Sequence, residues 1–112
     1  MEQPEFEVKD AERVVHLTRV IGNLRRLEIM LALNERGAAS ASVLSKAGLG
    51  GNADVDYHHR RLAKLGAAFV AETKQGKRGA PQRFYKLTDF GREALWMAAI
   101  LARKQEREEA GG

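Results

Sequence analysis

The chain has no cysteine among its 112 residues, and it has no long apolar segment. The first absence excludes disulfides, thiolate metal sites and cysteine nucleophiles, and it fits a reducing compartment, so we expect a cytoplasmic protein. The longest uncharged apolar run, 94–102, is about half as long as the roughly 18 residues that a membrane-spanning helix needs. We therefore predict no membrane segment and no membrane partner, and the acidic start does not have the order of a secretory signal.

The sequence also lacks the motifs of enzymes and of metal proteins. No spacing places a nucleophile beside a base, and there is no H-E-x-x-H. The glycines at 48–51 and 76–79 do not have the spacing of a phosphate-binding loop, so they are interpreted as turns. His58 and His59 are adjacent on a predicted helix, point in different directions and cannot hold one metal together; we place His58 on the packed side. We predict no enzyme activity, no metal site and no cofactor.

Positive charge is the feature that the chain does have in concentrated form. The whole chain carries +4, whereas residues 57–87 contain eight Lys or Arg and one Glu, a net charge of +7. With 44% hydrophobic and 30% charged residues, the composition is typical of one soluble globular domain. Clustered positive charge favours a surface that meets a polyanion, and the alternative is a face that is merely solvated.

The basic segment begins with a predicted helix over 53–65. Asn52 is its expected N-cap, and Gly66 is its expected end. Val55, Leu62 and Leu65 fall on one side of this helix at helical spacing, and Tyr57, Arg60, Arg61 and Lys64 fall on the other side. A β-hairpin follows, with strands expected at 68–73 and 83–87 and a basic loop, 74–82, between them.

Apolar periodicity and capping residues predict four further helices. The first covers 10–21, and the second begins at the N-cap Asn23 and ends near Arg36. In the second we expect Leu24, Leu27 and Leu31 to be buried, with Met30 as a further candidate. A short third helix, 41–47, is capped by Ser40 or Ser42, and the last runs from Thr88 to about Gln105. Residues 10–105 are expected to form one domain, with flexible ends at 1–9 and 106–112.

A short helix, a brief loop and a second helix with an exposed polar face form a helix-turn-helix, and the hairpin makes the unit a winged helix. The predicted fold is therefore mainly α with a small β-hairpin (α+β). The last helix is apolar on every side over 94–102, yet a small domain covers only one side of a terminal helix. We expect a second copy of the chain to cover the other side of this helix. The predicted homodimer interface comprises Val14, Leu17, Ile21, Trp96, Met97, Ile100 and Leu101.

Three segments carry a resemblance to a known family. They are I-G-N-L-R-R-L-E-I-M-L-A-L (21–33), V-D-Y-H-H-R-R-L-A-K-L-G-A (55–67) and R-F-Y-K-L-T-D-F-G-R-E-A-L (83–95). In this order they resemble the winged-helix transcriptional regulators of the ArsR type and their MarR-like relatives. The resemblance implies a homodimer whose recognition helices enter successive major grooves of double-stranded DNA. The chain departs from metal-sensing members in having no cysteine and in placing His59 where relatives usually carry an apolar residue.

We therefore predict a sequence-specific DNA-binding regulator, with helix 53–65 in the major groove and the wing, 74–82, on the backbone or the minor groove. Tyr57, Arg60, Arg61 and Asp56 are the candidates for base contacts, and Lys64, Lys74, Lys77, Arg78 and Arg83 are the candidates for phosphate contacts. Two alternatives use the same basic surface: a winged-helix module that binds an acidic protein, and an architectural DNA-binding protein with little sequence preference. No sequence feature identifies a small-molecule effector.

Overall fold

The computed structural model describes residues 7–76 and 79–111 of the chain. In chain order, the elements are α1 (Val8–Ile21), α2 (Leu24–Arg36), α3 (Ala41–Lys46), α4 (Asn52–Lys64), β1 (Ala68–Gln75), β2 (Pro81–Leu87) and α5 (Asp89–Gly111). The two strands pair antiparallel and form the only sheet of the described ranges. The predicted class, mainly α with a small β-hairpin in a winged helix-turn-helix, is confirmed.

The boundaries of α2 and α3 follow from their capping residues, as predicted. The Asn23 side chain accepts a hydrogen bond from the backbone N–H of Arg26 at 2.9 Å, and Gly37, with φ 85°, follows the last turn of α2. At α3 the cap is Ser40 and not Ser42, because the Ser40 hydroxyl accepts from the backbone N–H of Val43 at 3.2 Å.

The other helices differ from the predictions at their ends. α1 begins at Val8, two residues early, because the backbone N–H of Glu7 donates to the Asp10 carboxylate at 2.8 Å. Asn52 is the first residue of α4 and not its cap, which is Gly51. Thr88 caps α5 as predicted, but this helix continues to Gly111, because the residues after 105 are mostly strong helix formers.

The core is built from side chains of all five helices and of the hairpin. It contains Val20 of α1, Leu44 of α3, Val55 and Leu62 of α4, Leu87 of β2 and Ala94 of α5, all of them nearly inaccessible to solvent. These side chains fix the inner side of α4, so the orientation of that helix is decided by packing and not by its charged side.

The orientation of α2 was predicted only in part. Met30 is buried as expected, together with Ile29 and Leu33, but Leu24 is 76% exposed and Leu31 is 48% exposed. The prediction that these two leucines are buried is therefore wrong. The helix carries apolar residues on two sides, and periodicity alone does not say which side faces the core of the same subunit.

The hairpin is longer than predicted and is held to the helices at its base. Its strands extend into the residues predicted as a loop, and the last pair of the sheet is Gln75 with Pro81. A β-bulge lies between Val70 and Glu72. At the base, the backbone N–H of Ala39 donates to the Tyr85 carbonyl at 3.0 Å, and the N–H of Tyr85 donates back at 2.9 Å. The segment between α2 and α3 thus pairs with the wing.

The core also contains the two adjacent histidines of α4. His58 is buried, as predicted, with its ring 3.7 Å from the Asp54 carboxylate, and burial lowers its pKa. His59 is completely buried, lies on the Tyr85 ring at a centroid distance of 4.6 Å, and has no hydrogen-bond partner for either ring nitrogen. Burial is the main cause that lowers the pKa of His59 to about 4, although the nearby Asp56 acts in the opposite direction.

Because these histidines are buried, we expect the protein to lose stability in mild acid. In the unfolded chain the His59 ring binds a proton at a pKa of about 6.5, whereas in the folded protein its pKa is about 4. Above pH 6.5 the ring should therefore not reduce the free energy of unfolding. As the pH drops towards 4, that free energy should fall by about 1 kcal/mol per pH unit for one such group. Denaturant unfolding at a series of pH values measures this slope.

The His59→Leu variant should have a shallower slope over the same range. Tyr85→Phe is the matched control, since it keeps a ring against His59 and removes no group that titrates there; it should keep the wild-type slope. An unchanged slope in His59→Leu would show that the buried ring is not the cause.

Candidate nucleic-acid interface

A glycine-containing turn sets α4 against α3. Gly48 and Gly50 have φ of 90° and 124°, values that residues with a side chain rarely adopt. A Cβ on Gly50 would also lie 3.1 Å from the Asp54 carboxylate. The turn thus reverses the chain in few residues, and α4 emerges with one side packed on the core and the other side exposed.

The exposed side of α4 carries the residues predicted for base contacts. Tyr57 and Arg60 are exposed, while Asp56 and Arg61 are half-buried at the edges of the same face. Arg60 Nε donates to the Asp56 carboxylate at 3.0 Å, one helical turn away. In an exposed position such a pair stabilises a helix by only about 0.3–0.5 kcal/mol, so its main effect is to direct the guanidinium along the face. Lys64 is exposed at the end of the helix.

The wing carries two more of the predicted residues. Lys74 and Arg83 are exposed on β1 and β2, where Lys74 pairs with Gln82 and Arg83 pairs with Thr73. The Lys74 ammonium lies 5.0 Å above the Phe84 ring, a distance at which a cation is attracted to an aromatic face. Lys77 and Arg78, predicted for the wing tip, lie outside the described residues, and their role stays a prediction.

An open groove of about 700 Å³ separates α4 from the wing. Of the predicted residues, Asp56 and Arg83 line it from opposite walls, whereas those at 57, 60, 61 and 64 lie along the helix beyond it. Ser42, Asn52 and Gln82 also line it, and the sequence analysis did not place them in the site. Ser42 and Asn52 were considered only as helix caps. Because Ser40 and Gly51 occupy the cap positions instead, both polar side chains are available to the groove.

A second basic cluster adjoins α4 at the start of α2. Burial lowers the pKa of Arg26, and the nearby charge of Arg61 lowers it further, while Tyr57 acts in the opposite direction. Its Nε donates to the carbonyl of Val20 at 3.2 Å, which fixes the guanidinium beside the end of α1. The side chain of the neighbouring Arg25 lies near the Gly50 turn, since a Cβ on Gly50 would be 3.9 Å from its Nε. The charge count began at residue 57 and therefore did not include these two arginines.

Exposed apolar side chains of α1, α2 and α5, called the apolar surface below, are not among the residues predicted to contact DNA. Of the residues predicted for a dimer interface, Leu17 and Ile21 are half-buried against the core, and the other five are exposed: Val14 (46%), Trp96 (67%), Met97 (54%), Ile100 (41%) and Leu101 (62%). Five further exposed apolar residues of these helices were not predicted for it: Val8, Val15, Leu24, Leu31 and Phe90. The two leucines form the second apolar side of α2, and this side was predicted to be in the core.

Among residues 7–76 and 79–111, no cluster of three or more His, Cys, Asp or Glu side chains is arranged to hold a metal ion. In the same ranges, no helix has the length and hydropathy to cross a bilayer.

No protein-family model matches the chain, and no curated protein sequence matches it either. Solved structures do share its fold. The antimony-specific transcriptional repressor AntR is similar with a TM-score of 0.74 and 21% identity, over 95% of this chain and 91% of that one. A protein from Enterococcus faecalis V583, described as a transcriptional regulator of the MarR family, has a TM-score of 0.74 and 17% identity, over 98% and 96% of the two chains.

A third similar structure is a homodimer. It is the winged helix-turn-helix DNA-binding domain of a Mycobacterium bovis protein, described as a possible ArsR-family transcriptional regulator, with a TM-score of 0.65 and 15% identity over 92% of each chain. Identities in this range establish a common fold, and the resemblance found in the sequence is confirmed at that level. The chain has the winged helix-turn-helix fold of the ArsR- and MarR-type transcriptional regulators.

Proposed function

We propose that the protein is a transcriptional regulator that binds DNA sequence-specifically as a homodimer. The observation that carries this proposal is the division of α4 into a buried side and an exposed, cationic side beside a cationic wing. An α-helix fits the major groove of B-DNA, where each base pair presents a distinct pattern of donors and acceptors. A helix held by its inner side and free on its outer side meets the geometric requirement for reading that pattern.

Residues of α4 have different roles in this proposal. Arg60 and Arg61 can donate two hydrogen bonds each to a guanine edge, and Tyr57 and Asp56 stand beside them. Lys64, Lys74 and Arg83 lie towards the helix end and the wing, where phosphate contacts set the position of the protein on the duplex. Lys77 and Arg78 are assigned the same role from their place in the sequence alone.

The apolar surface of α1, α2 and α5 supports a homodimer. Every residue of α5 from Ile100 to Gly111 is exposed, so this part of the helix projects beyond the domain. Large exposed apolar patches in soluble proteins mark interaction sites. A second copy related by a two-fold axis would cover the same patch on both subunits and present two recognition helices to one face of DNA. The homodimeric Mycobacterium bovis domain of the same fold supports this arrangement.

Selection of bound fragments from a randomised DNA pool, with competitor DNA present, tests the proposal. We expect an inverted repeat whose half-sites are about 10–11 base pairs apart. Enrichment of no sequence, with binding that depends steeply on salt, would favour an architectural protein. Absence of DNA binding would favour a module that meets an acidic protein.

Base contacts and phosphate contacts should respond differently to substitution. Arg60→Ala and Arg61→Ala should each weaken binding to the selected repeat by roughly 1–3 kcal/mol and reduce the preference for it over random DNA. Lys64→Ala and Arg83→Ala should weaken binding to both DNAs alike and lower the salt slope by about one unit each. Titrations of both DNAs at several salt concentrations measure these effects.

Lys104→Ala is the control for charge alone, because Lys104 is exposed on the projecting part of α5. It should leave preference and salt slope unchanged. Equal losses on both DNAs for all four interface variants would remove the assignment of base contacts to α4.

Substitutions in the apolar surface should separate the subunits. Trp96→Glu, Ile100→Glu or Leu31→Glu would bury a charge without a partner in the dimer but not in the monomer, where each residue is exposed. Sedimentation should show these variants as monomers and the wild type as a dimer. Phe69→Glu makes the same change at an exposed position of the wing and should remain dimeric. A wild-type monomer at micromolar concentration would contradict the proposed dimer.

A further inference from the structure

His16 forms a hydrogen bond that joins α1 to the end of α4. Its ring Nε2 lies 2.9 Å from the backbone carbonyl oxygen of Leu65, a residue 49 positions away in sequence. A carbonyl oxygen only accepts, so the ring must carry a proton on Nε2 and donate it. The sequence analysis gave His16 no role, and the DNA-binding face does not include it.

The acceptor is one of the carbonyls that a helix leaves without an internal partner. Leu65 is the C-cap of α4, and Gly66, with φ 81°, ends the helix after it, with the backbone N–H of Ala67 donating back to the Leu62 carbonyl at 2.9 Å. The Gly66 carbonyl accepts from the Thr88 hydroxyl at 2.7 Å, and the Ala67 carbonyl accepts from the Thr88 backbone N–H at 3.0 Å. Three successive carbonyls at the end of α4 are therefore held by α1 and by the cap of α5.

These two helices are the ones that carry most of the apolar surface. His16 lies between Val14 and Leu17 in sequence, and its ring centroid is 6.0 Å from that of Phe90 at the start of α5. Both rings line an open cavity of about 690 Å³ between α1 and α5. Elsewhere α1 and α4 touch little, because α1 packs mainly on α2 and α5. The hydrogen bond of His16 is thus a specific link between the apolar surface and the recognition helix.

We propose that His16 is a positioning residue that fixes the orientation of α4 relative to the α1–α5 surface, and thereby the spacing of DNA half-sites that the dimer accepts. The role of His16 rests on the proposed function. Without this bond, α4 keeps its packed side and its base contacts, but its end loses the hydrogen bond to α1 and is linked to the α1–α5 surface only through Thr88 at the cap of α5. Affinity for one half-site is then retained, while discrimination between spacings is reduced.

The test uses duplexes that carry the selected inverted repeat at its selected spacing, with base pairs added or removed between the half-sites, and a duplex with a single half-site. His16→Phe keeps a ring against Phe90 and removes the donor. It should bind the single half-site within about twofold of wild type and lose about tenfold of the preference for the selected spacing, within the usual range of coupling between sites. His16→Gln should restore the preference, since its amide nitrogen can donate from a similar position.

Thr18→Val is the matched control, because the Thr18 hydroxyl donates to the carbonyl of Val15 within α1, at 2.6 Å, and does not reach α4. It should discriminate spacing as the wild type does. Thermal melting of each variant identifies a loss that comes from unfolding, which weakens binding to every duplex alike. Long-range proton–nitrogen NMR spectra give a second readout without any substitution, and they should show His16 with its proton on Nε2.

Three results would overturn the role of His16: an unchanged spacing preference in His16→Phe, an equal loss on the half-site and the full repeat, or a neutral wild-type ring whose only proton is on Nδ1. The proposed function fails separately. A wild-type protein that selects no inverted repeat contradicts the regulator, whereas a wild type that selects one, with a His16→Phe variant that discriminates equally well, contradicts only the coupling.

Discussion

The packing of α4 on the core is the constraint on which the rest of the structure depends. Val55 and Leu62 enter the core from one side of the helix, and Tyr85 of the wing covers the ring of His59. Since interiors are close-packed, these contacts leave the helix one rotation about its axis. The cations on its other side are exposed because of that rotation. The same contacts bring the wing next to the helix, so the two basic parts of the surface share one origin.

His59 shows that this packing is not optimised for stability. A completely buried ring with two unpartnered nitrogens costs free energy that an apolar side chain would not. The ring nevertheless packs against Tyr85 and so joins α4 to β2. Helix α4 is therefore attached to the domain through a contact that is weaker than its burial alone suggests, and the hydrogen bonds of Leu65, Gly66 and Ala67 at its end supplement that contact.

Much of the fold could be predicted from the sequence, because capping residues and apolar spacing marked several helix ends and one buried helix side. Asn23 and Gly37 marked the ends of α2, and Val55 with Leu62 marked the inner side of α4. The prediction failed for Leu24 because a helix with two apolar sides contains no local information about which side meets its own subunit. The same ambiguity was recognised in α5, where the apolar run continues around the whole helix, and there it led to the prediction of a partner.

The site was predictable in its charges and not in its geometry. The clustering of cations along the chain predicted Arg60, Arg61 and Lys64, and these three residues lie on one side of the helix. The groove residues Ser42 and Asn52 were missed because both were candidates for helix caps, and a difference of one or two residues in the position of a cap changes the role of a polar side chain. The link from His16 to Leu65 could not be predicted, since it joins residues 49 positions apart and depends on the final packing of three helices.

The backbone pairing of Ala39 with Tyr85 divides the wing into an anchored base and a free blade. The base is tied to the helical body by two hydrogen bonds, while the residues of β1 beyond Ala68 are exposed throughout. Surface hairpin segments of this kind tolerate insertion and deletion, because lengthening them costs little conformational entropy and disturbs no core contact. Natural selection can therefore lengthen, shorten or recharge the blade while the body stays the same, and the reach of the protein along its partner can evolve independently of its folding.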